Sequence, residues 1–251
     1  MSDFLHLERI TVQFAALRAV DEVTIRVPRG ERRAIIGPNG AGKTTLFNAI
    51  TGVVRPTAGR VLFDGRDLTR APVHVRAERG MSRTFQITNL FPNLTVAENM
   101  QLALRGLSAR KFSLLGPAAL TPEEEERARA ALAISRLHAR HGTLVKALSY
   151  GEQRQLELAM ALVAQPKLLL LDEPAAGLSP AERVIVSDII RALPRDLTLV
   201  LIEHDMDLVL TLVDYVTCLN NGKMLVEAPP DQIRTNSLVQ DVYLGKARHH
   251  A

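Results

Sequence analysis

Gly37-Pro38-Asn39-Gly40-Ala41-Gly42-Lys43-Thr44 fits the pattern G-x-x-x-x-G-K-[ST], and it constrains the fold more than any other stretch of the chain. Glycines let the backbone wrap closely around phosphate groups, so that N–H groups point inward. A helix that follows aims its positive end at the same place. The flanking sequence predicts this layout. Ala34-Ile35-Ile36 reads as a short, wholly apolar strand, and Thr44-Thr45-Leu46-Phe47-Asn48-Ala49-Ile50 reads as a helix. The alternative is a glycine-rich turn before an ordinary helix, but residue frequencies make a chance match on the order of 1%. The loop is therefore expected to bind a nucleotide. Lys43 would reach the β- and γ-phosphates, and the Thr44 hydroxyl would hold Mg²⁺.

The remaining sequence fits an α/β core with a mostly helical insertion. Val23, Ile25 and Val27 alternate with Thr24 and Arg26, and Pro28-Arg29-Gly30 closes that strand. Val61-Leu62-Phe63 runs into the turn signal Asp64-Gly65. From about residue 90 to 148 helical signals replace strand signals. Leu94-Thr95-Val96-Ala97-Glu98-Asn99 begins one helix. Residues 107–121, rich in Gly, Pro and Ser, read as a loop. Thr121-Pro122-Glu123-Glu124 starts a second helix with a cap, a proline and acids favoured by the helix dipole. Residues 168–171 and 199–202 are continuous apolar runs, as expected of parallel strands covered on both faces. Asn220-Asn221-Gly222-Lys223 predicts a hairpin turn.

Composition excludes several classes of function. Hydrophobic residues make up 47% and charged residues 23%, which suits a globular chain and not a disordered one. Lys and Arg number 31 against 27 Asp and Glu, and no dense basic run occurs, so a nucleic-acid partner is not expected. No apolar stretch approaches the roughly 20 residues that cross a bilayer. The longest candidate, residues 159–171, is broken by Gln165, Pro166 and Lys167. Met1-Ser2-Asp3-Phe4 lacks the basic and apolar regions of a secretory signal. The chain is expected to be soluble or peripherally attached, on the cytoplasmic side. The single cysteine, Cys218, lies in an apolar run and reads as a small buried hydrophobe.

Three further stretches carry chemistry. Asp172 and Glu173 follow four leucines at the predicted C-terminal end of a buried strand, where ligands bind in open α/β folds. Asp172 would hold Mg²⁺, directly or through water. Ser149 and Glu152, in Leu148-Ser149-Tyr150-Gly151-Glu152-Gln153-Arg154, have capping-box spacing. Gln155, Leu156, Ala159, Met160 and Val163 then supply one helical face. His204 follows the second apolar run, in Ile202-Glu203-His204-Asp205.

In this order the motifs resemble those of the ABC ATPase family. The stretch at Ser149 is similar to its L-S-G-G-Q signature, with Tyr150 for the first glycine and Glu152 for the glutamine. The resemblance covers essentially all 251 residues. It implies an α/β fold: a P-loop NTPase core with an N-terminal antiparallel β subdomain and an inserted helical subdomain. The core would comprise residues 1–87 and 160–251, and the helical subdomain residues 88–159. Gly37, Pro38, Asn39, Gly40, Ala41, Gly42, Lys43, Thr44 and Thr45 would bind ATP, and Phe14 would stack on adenine. Glu173 would orient and deprotonate the attacking water, and His204 would contact the γ-phosphate. Gln86, in Arg83-Thr84-Phe85-Gln86, would join Thr44 and Asp172 at Mg²⁺ and link the core to the insertion. Ser149, Gly151 and Glu152 would face the γ-phosphate of ATP bound to a second subunit. Ala175-Ala176-Gly177-Leu178-Ser179-Pro180 resembles the D-loop, with Ser179 where the family usually has aspartate.

Arg83-Thr84-Phe85-Gln86, the signature stretch, and Ala176-Gly177-Leu178 followed later by Ile202-Glu203-His204-Asp205-Met206 together look like the ATP-binding subunits of branched-chain amino acid importers, specifically the longer, G-type subunit. Pro229-Pro230-Asp231-Gln232-Ile233-Arg234 and Val242-Tyr243-Leu244-Gly245 resemble the ending of that subfamily. The implied partners are a second ATPase subunit, either a related F-type chain or, in isolation, a second copy of this chain, with two transmembrane permease subunits and, indirectly, a substrate-binding protein. Urea or amide importers, lipopolysaccharide-type exporters and soluble ABC ATPases remain alternatives at this point.

Overall fold

The computed structural model describes residues 3–84, 90–107 and 120–244. Its first part contains β1 (Leu5–Phe14), β2 (Leu17–Val27), β3 (Arg32–Ile36), α1 (Lys43–Thr51), β4 (Ala58–Phe63), β5 (Arg66–Asp67), α2 (Val73–Glu78) and β6 (Met81–Arg83). The middle holds α3 (Val96–Leu107), α4 (Pro122–Ile134) and α5 (Tyr150–Leu162). The last part contains β7 (Leu168–Asp172), α6 (Pro180–Ala192), β8 (Thr198–Ile202), α7 (Met206–Val209), β9 (Tyr215–Asn220), β10 (Lys223–Ala228), α8 (Pro230–Thr235) and α9 (Ser237–Leu244).

Two sheets form. An antiparallel sheet has the order β2-β1-β4-β5, and a second has the order β10-β9-β3-β8-β7-β6. In the second sheet β6, β7, β8, β3 and β9 run parallel, and β10 closes one edge as the antiparallel arm of a hairpin. This is the α/β core with an N-terminal antiparallel layer that the motifs imply.

The apolar runs of the parallel strands divide by alternation. Ile35, Leu168, Leu170, Val200 and Ile202 face one core, shared with α1 and the antiparallel sheet. Ala34, Ile36, Leu169, Leu171, Leu199 and Leu201 face another, shared with α6 and the C-terminal elements. Successive side chains on a strand point to opposite faces, so a strand covered on both sides must be apolar throughout. β3 is longer than its apolar part, because Arg32 and Arg33 begin it and both are buried. The guanidinium of Arg32 donates to the carbonyls of Arg191 and Leu193, and that of Arg33 pairs with Glu31 and Glu227.

α3, α4 and α5 share a third core built from Val96, Met100, Leu132, Leu148, Leu156 and Ala159 among others. α3 begins at Val96, after Leu94, because Thr95 caps it. Its hydroxyl accepts from Glu98 N at 3.2 Å while Glu98 Oε2 accepts from Thr95 N at 2.6 Å. Thr121 and Glu124 start α4 with the same box. α5 runs unbroken through residues 159 and 160, where the motifs place the end of the helical subdomain. Leu156 and Ala159 pack with α3 and α4, whereas Leu158 and Ala161 pack under the parallel sheet.

Candidate nucleotide site

The phosphate loop is held from three sides. Gly42 caps α1 at φ 97°, and a Cβ there would sit 2.3 Å from the Ala19 carbonyl oxygen, so β2 can lie this close only to glycine. Gly222, in the β9–β10 turn, donates its N–H to Ala41 O at 3.1 Å and accepts from Asp21 N at 2.8 Å. The hairpin thus braces the loop against β2. Gly37 N–H donates to the hydroxyl of Tyr243 on α9 at 2.7 Å. Burial pushes the Tyr243 phenol up to about 12, which keeps it protonated at neutral pH. Lys43 is buried, and its Nζ donates to the carbonyls of Gly37 at 2.7 Å and Pro38 at 3.0 Å. These contacts keep the ammonium inside the loop.

At the other end of α1, Arg76 is 1% exposed. It donates to the carbonyls of Ala49 at 2.7 Å and Ile50 at 2.5 Å, which the last turn leaves unpaired. Burial lowers its pKa to about 10, so it stays charged at neutral pH. The helix that presents its positive end to the loop is therefore anchored by a cation at its negative end.

A cavity of about 520 Å³ opens over the start of α1. Asn39, Gly40, Ala41, Gly42, Lys43, Thr44 and Thr45 line it, with Phe14 at its rim and Glu173 and His204 across from the loop. Phe14 is 50% exposed, which leaves its ring available to a flat ligand. Glu173 has φ 51°, a left-handed backbone that L residues adopt at a cost. His204 Nε2 lies 2.5 Å from Glu173 Oε1. The two side chains meet because β7 and β8 are neighbours with Asp172 opposite Ile202. Glu203 locks the same corner: its carboxylate is buried and accepts from Ala175 N at 2.9 Å and His204 N at 3.0 Å. Burial raises the Glu203 pKa, with the nearby Glu173 charge acting in the same direction.

Asp172 is 2% exposed. Its Oδ2 accepts from Arg83 Nη2 at 2.6 Å, and Arg83 also donates to Asn48 Oδ1 at 2.6 Å. Asp172 Oδ1 is buried with no hydrogen-bond partner among the described residues. An orphaned carboxylate oxygen is costly, and here it fits a divalent cation with hard oxygen ligands.

The signature stretch stands apart from this cavity. Ser149 caps α5, and Glu152 completes the box, with its Oε2 2.9 Å from Ser149 N. Arg140 Nε donates to the other oxygen of Glu152 at 2.9 Å. Tyr150, where the resemblance expects glycine, receives a hydrogen bond from Arg154 Nη2 at 2.7 Å. A Cβ added to Gly177 would lie 3.2 Å from its ring, so Tyr150 packs closely on the D-loop stretch. Ser179 caps α6 in a box with Glu182, a local role for the residue that replaces aspartate.

The structure thus brings Phe14, residues 39–45, Glu173 and His204 to one cavity. Gly37 and Pro38 serve the loop through backbone contacts, and Asp172 lies beneath, paired with Arg83. Ser149, Gly151 and Glu152 do not line the cavity. Gln86 lies outside the described residues. Sequence reasoning missed Tyr243, Gly222, Arg76 and Glu182 as neighbours of these motifs. The capping-box spacing of Ser179 and Glu182 and the hairpin turn at Gly222 are legible locally, but neither signals the contact across the fold.

Loop, carboxylates and sheet topology define a P-loop nucleotide hydrolase in cassette form. The chain belongs to the ABC transporter family, whose model matches residues 20–176. It is 39% identical to the high-affinity branched-chain amino acid transport ATP-binding protein LivG of Escherichia coli, over 97% of this chain and 98% of that one. It is 38% identical, with the same coverage, to the corresponding protein BraF of Pseudomonas aeruginosa. The structure superposes on the ADP conformation of MJ1267, an ATP-binding cassette of an ABC transporter, with a TM-score of 0.86 and 29% identity, covering 98% of this chain and 100% of that one.

Proposed function

We propose that this chain is the G-type ATP-binding subunit of a branched-chain amino acid importer, and that it hydrolyses ATP at the cavity over α1. The observation that carries the chemistry is the meeting of Lys43, Glu173 and His204 at one phosphate loop. Two relatives that are 38% and 39% identical over 97% of the chain, both named for branched-chain amino acid transport, support the substrate class.

In this reading the N–H groups of residues 40–45 cradle the phosphates, and Lys43 exchanges its loop carbonyls for β- and γ-phosphate oxygens. Phe14 stacks on the adenine. Asp172, Thr44 and Gln86 hold Mg²⁺, which supplies positive charge to the phosphate oxygens when bound. Glu173 takes a proton from the attacking water. His204 fixes the Glu173 carboxylate through Oε1 and reaches the γ-phosphate. The active form is a pair of ATPase subunits, in which the second is a related F-type chain in the transporter or a second copy of this chain in isolation. Ser149 and Gly151 of each subunit face the nucleotide of the other. The pair sits on two permease subunits at the cytoplasmic face of the membrane, fed by a substrate-binding protein. The helical segment 88–159 transmits closure to the permeases.

The test is uptake of radiolabelled leucine in a strain lacking this gene, complemented with wild type or Glu173→Gln. Wild type is expected to restore uptake and Glu173→Gln is not. Leucine uptake that survives deletion, with urea or amide uptake lost, would move the substrate and leave the ATPase reading in place.

A further inference from the structure

The N-terminus of α5 is already occupied by an anion that the chain itself supplies. Glu182, in the first turn of α6, places Oε1 3.1 Å from Ser149 Oγ and 3.0 Å from Gly151 N, and both groups donate to it. Its Oε2 accepts from Ser179 N at 3.1 Å and Ser179 Oγ at 2.8 Å. The approach depends on glycine, since a Cβ at position 151 would lie 2.5 Å from Glu182 Oε1. The hydrogen bonds from Ser179, with those from Gly151 and Ser149, hold the carboxyl below its ordinary range. It is ionised at neutral pH.

A hydroxyl and a main-chain amide at the positive end of a helix form a seat for phosphate oxygens. Glu182 fills that seat with the same chemistry: an ionised group that only accepts hydrogen bonds. We propose that Glu182 is a built-in competitor for the γ-phosphate of the opposing subunit's ATP, and so sets how much ATP is needed to join two subunits. The proposal rests on the reading of Ser149 and Gly151 as the receivers of that phosphate.

The two halves of the carboxylate do different work. Oε2 belongs to the α6 cap, and Oε1 spans the gap to α5. When a γ-phosphate arrives, Glu182 releases Ser149 and Gly151 and keeps Ser179. An ionised carboxylate left in the seat would repel the phosphate, so the two occupants exclude each other. A nucleoside diphosphate has no γ-phosphate to offer, and Glu182 keeps its place. The contact thereby favours association with triphosphate over association with diphosphate.

The test uses full-length chains carrying Glu173→Gln, so that bound ATP persists. Association is followed by light scattering as ATP is raised, with thermal unfolding as a check on the fold. Glu182→Ala is expected to lower the ATP concentration at half-association about fivefold or more. Glu182→Gln, which keeps a hydrogen-bonding side chain without the charge, is expected to fall between it and the parent. Adding Ser149→Ala should abolish association in every background. If Ser149→Ala blocks association while Glu182→Ala leaves the midpoint unchanged or raises it, Glu182 is a brace for α5 and the proposal alone is overturned. If Ser149→Ala has no effect, the signature reading fails and takes the proposal with it. Failure of every variant to associate also overturns it, because removal of the competitor is expected to promote pairing.

Discussion

At the residue scale the site depends on preorganised charge. Lys43 is desolvated and aimed before any nucleotide arrives, held by the carbonyls of Gly37 and Pro38. Lys43→Ala is expected to slow ATP hydrolysis by roughly 10²–10³-fold at saturating ATP, measured as phosphate release. A near-normal rate would remove Lys43 from the mechanism. Lys43, Asp172, Glu173 and His204 are legible in the sequence because each sits in a contiguous motif at the end of a strand or the start of a helix. Tyr243 is not legible in the same way. Its contact with Gly37 spans 206 positions, and nothing local to either residue announces it. Asp172 and Arg83 are 89 positions apart and meet only because β6 and β7 pair.

At the scale of elements, α1 is the component that everything else positions. Its start faces the cavity, and its end is tied down by Arg76 through Ala49 and Ile50. Arg76→Met is expected to reduce stability by about 3 kcal/mol or more in urea denaturation, because it strands buried carbonyls that a charged donor now satisfies. A loss below 1 kcal/mol would mean that water replaces the guanidinium. Arg76 shows why sequence reading stopped short here. A lone arginine beside a short helix reads as surface, and its burial follows from the way α2 folds back over the end of α1. The parallel strands were easier to foresee, since only strands covered on both faces carry runs such as residues 168–171.

At the scale of the molecule, nucleotide binding and folding are linked. A ligand bound only by the native state at a hundredfold its dissociation constant adds about 2.7 kcal/mol of stability. For a chain of this size ATP or ADP should then raise the melting temperature by about 5–10 °C. The shift is expected to shrink in Lys43→Ala at the same nucleotide concentration, and an equal shift in both would place the nucleotide elsewhere. α5 has a different consequence for the whole. Its alternate side chains belong to two cores, so its halves cannot be inherited separately. A chimaera of two related subunits joined between residues 159 and 160 would mismatch both cores along one helix. A junction at Gln165-Pro166, past the end of α5 and before β7, would keep the helix whole and its contacts with α3 and α4 intact. Recombination among such genes should therefore leave its scars after this helix and not within it.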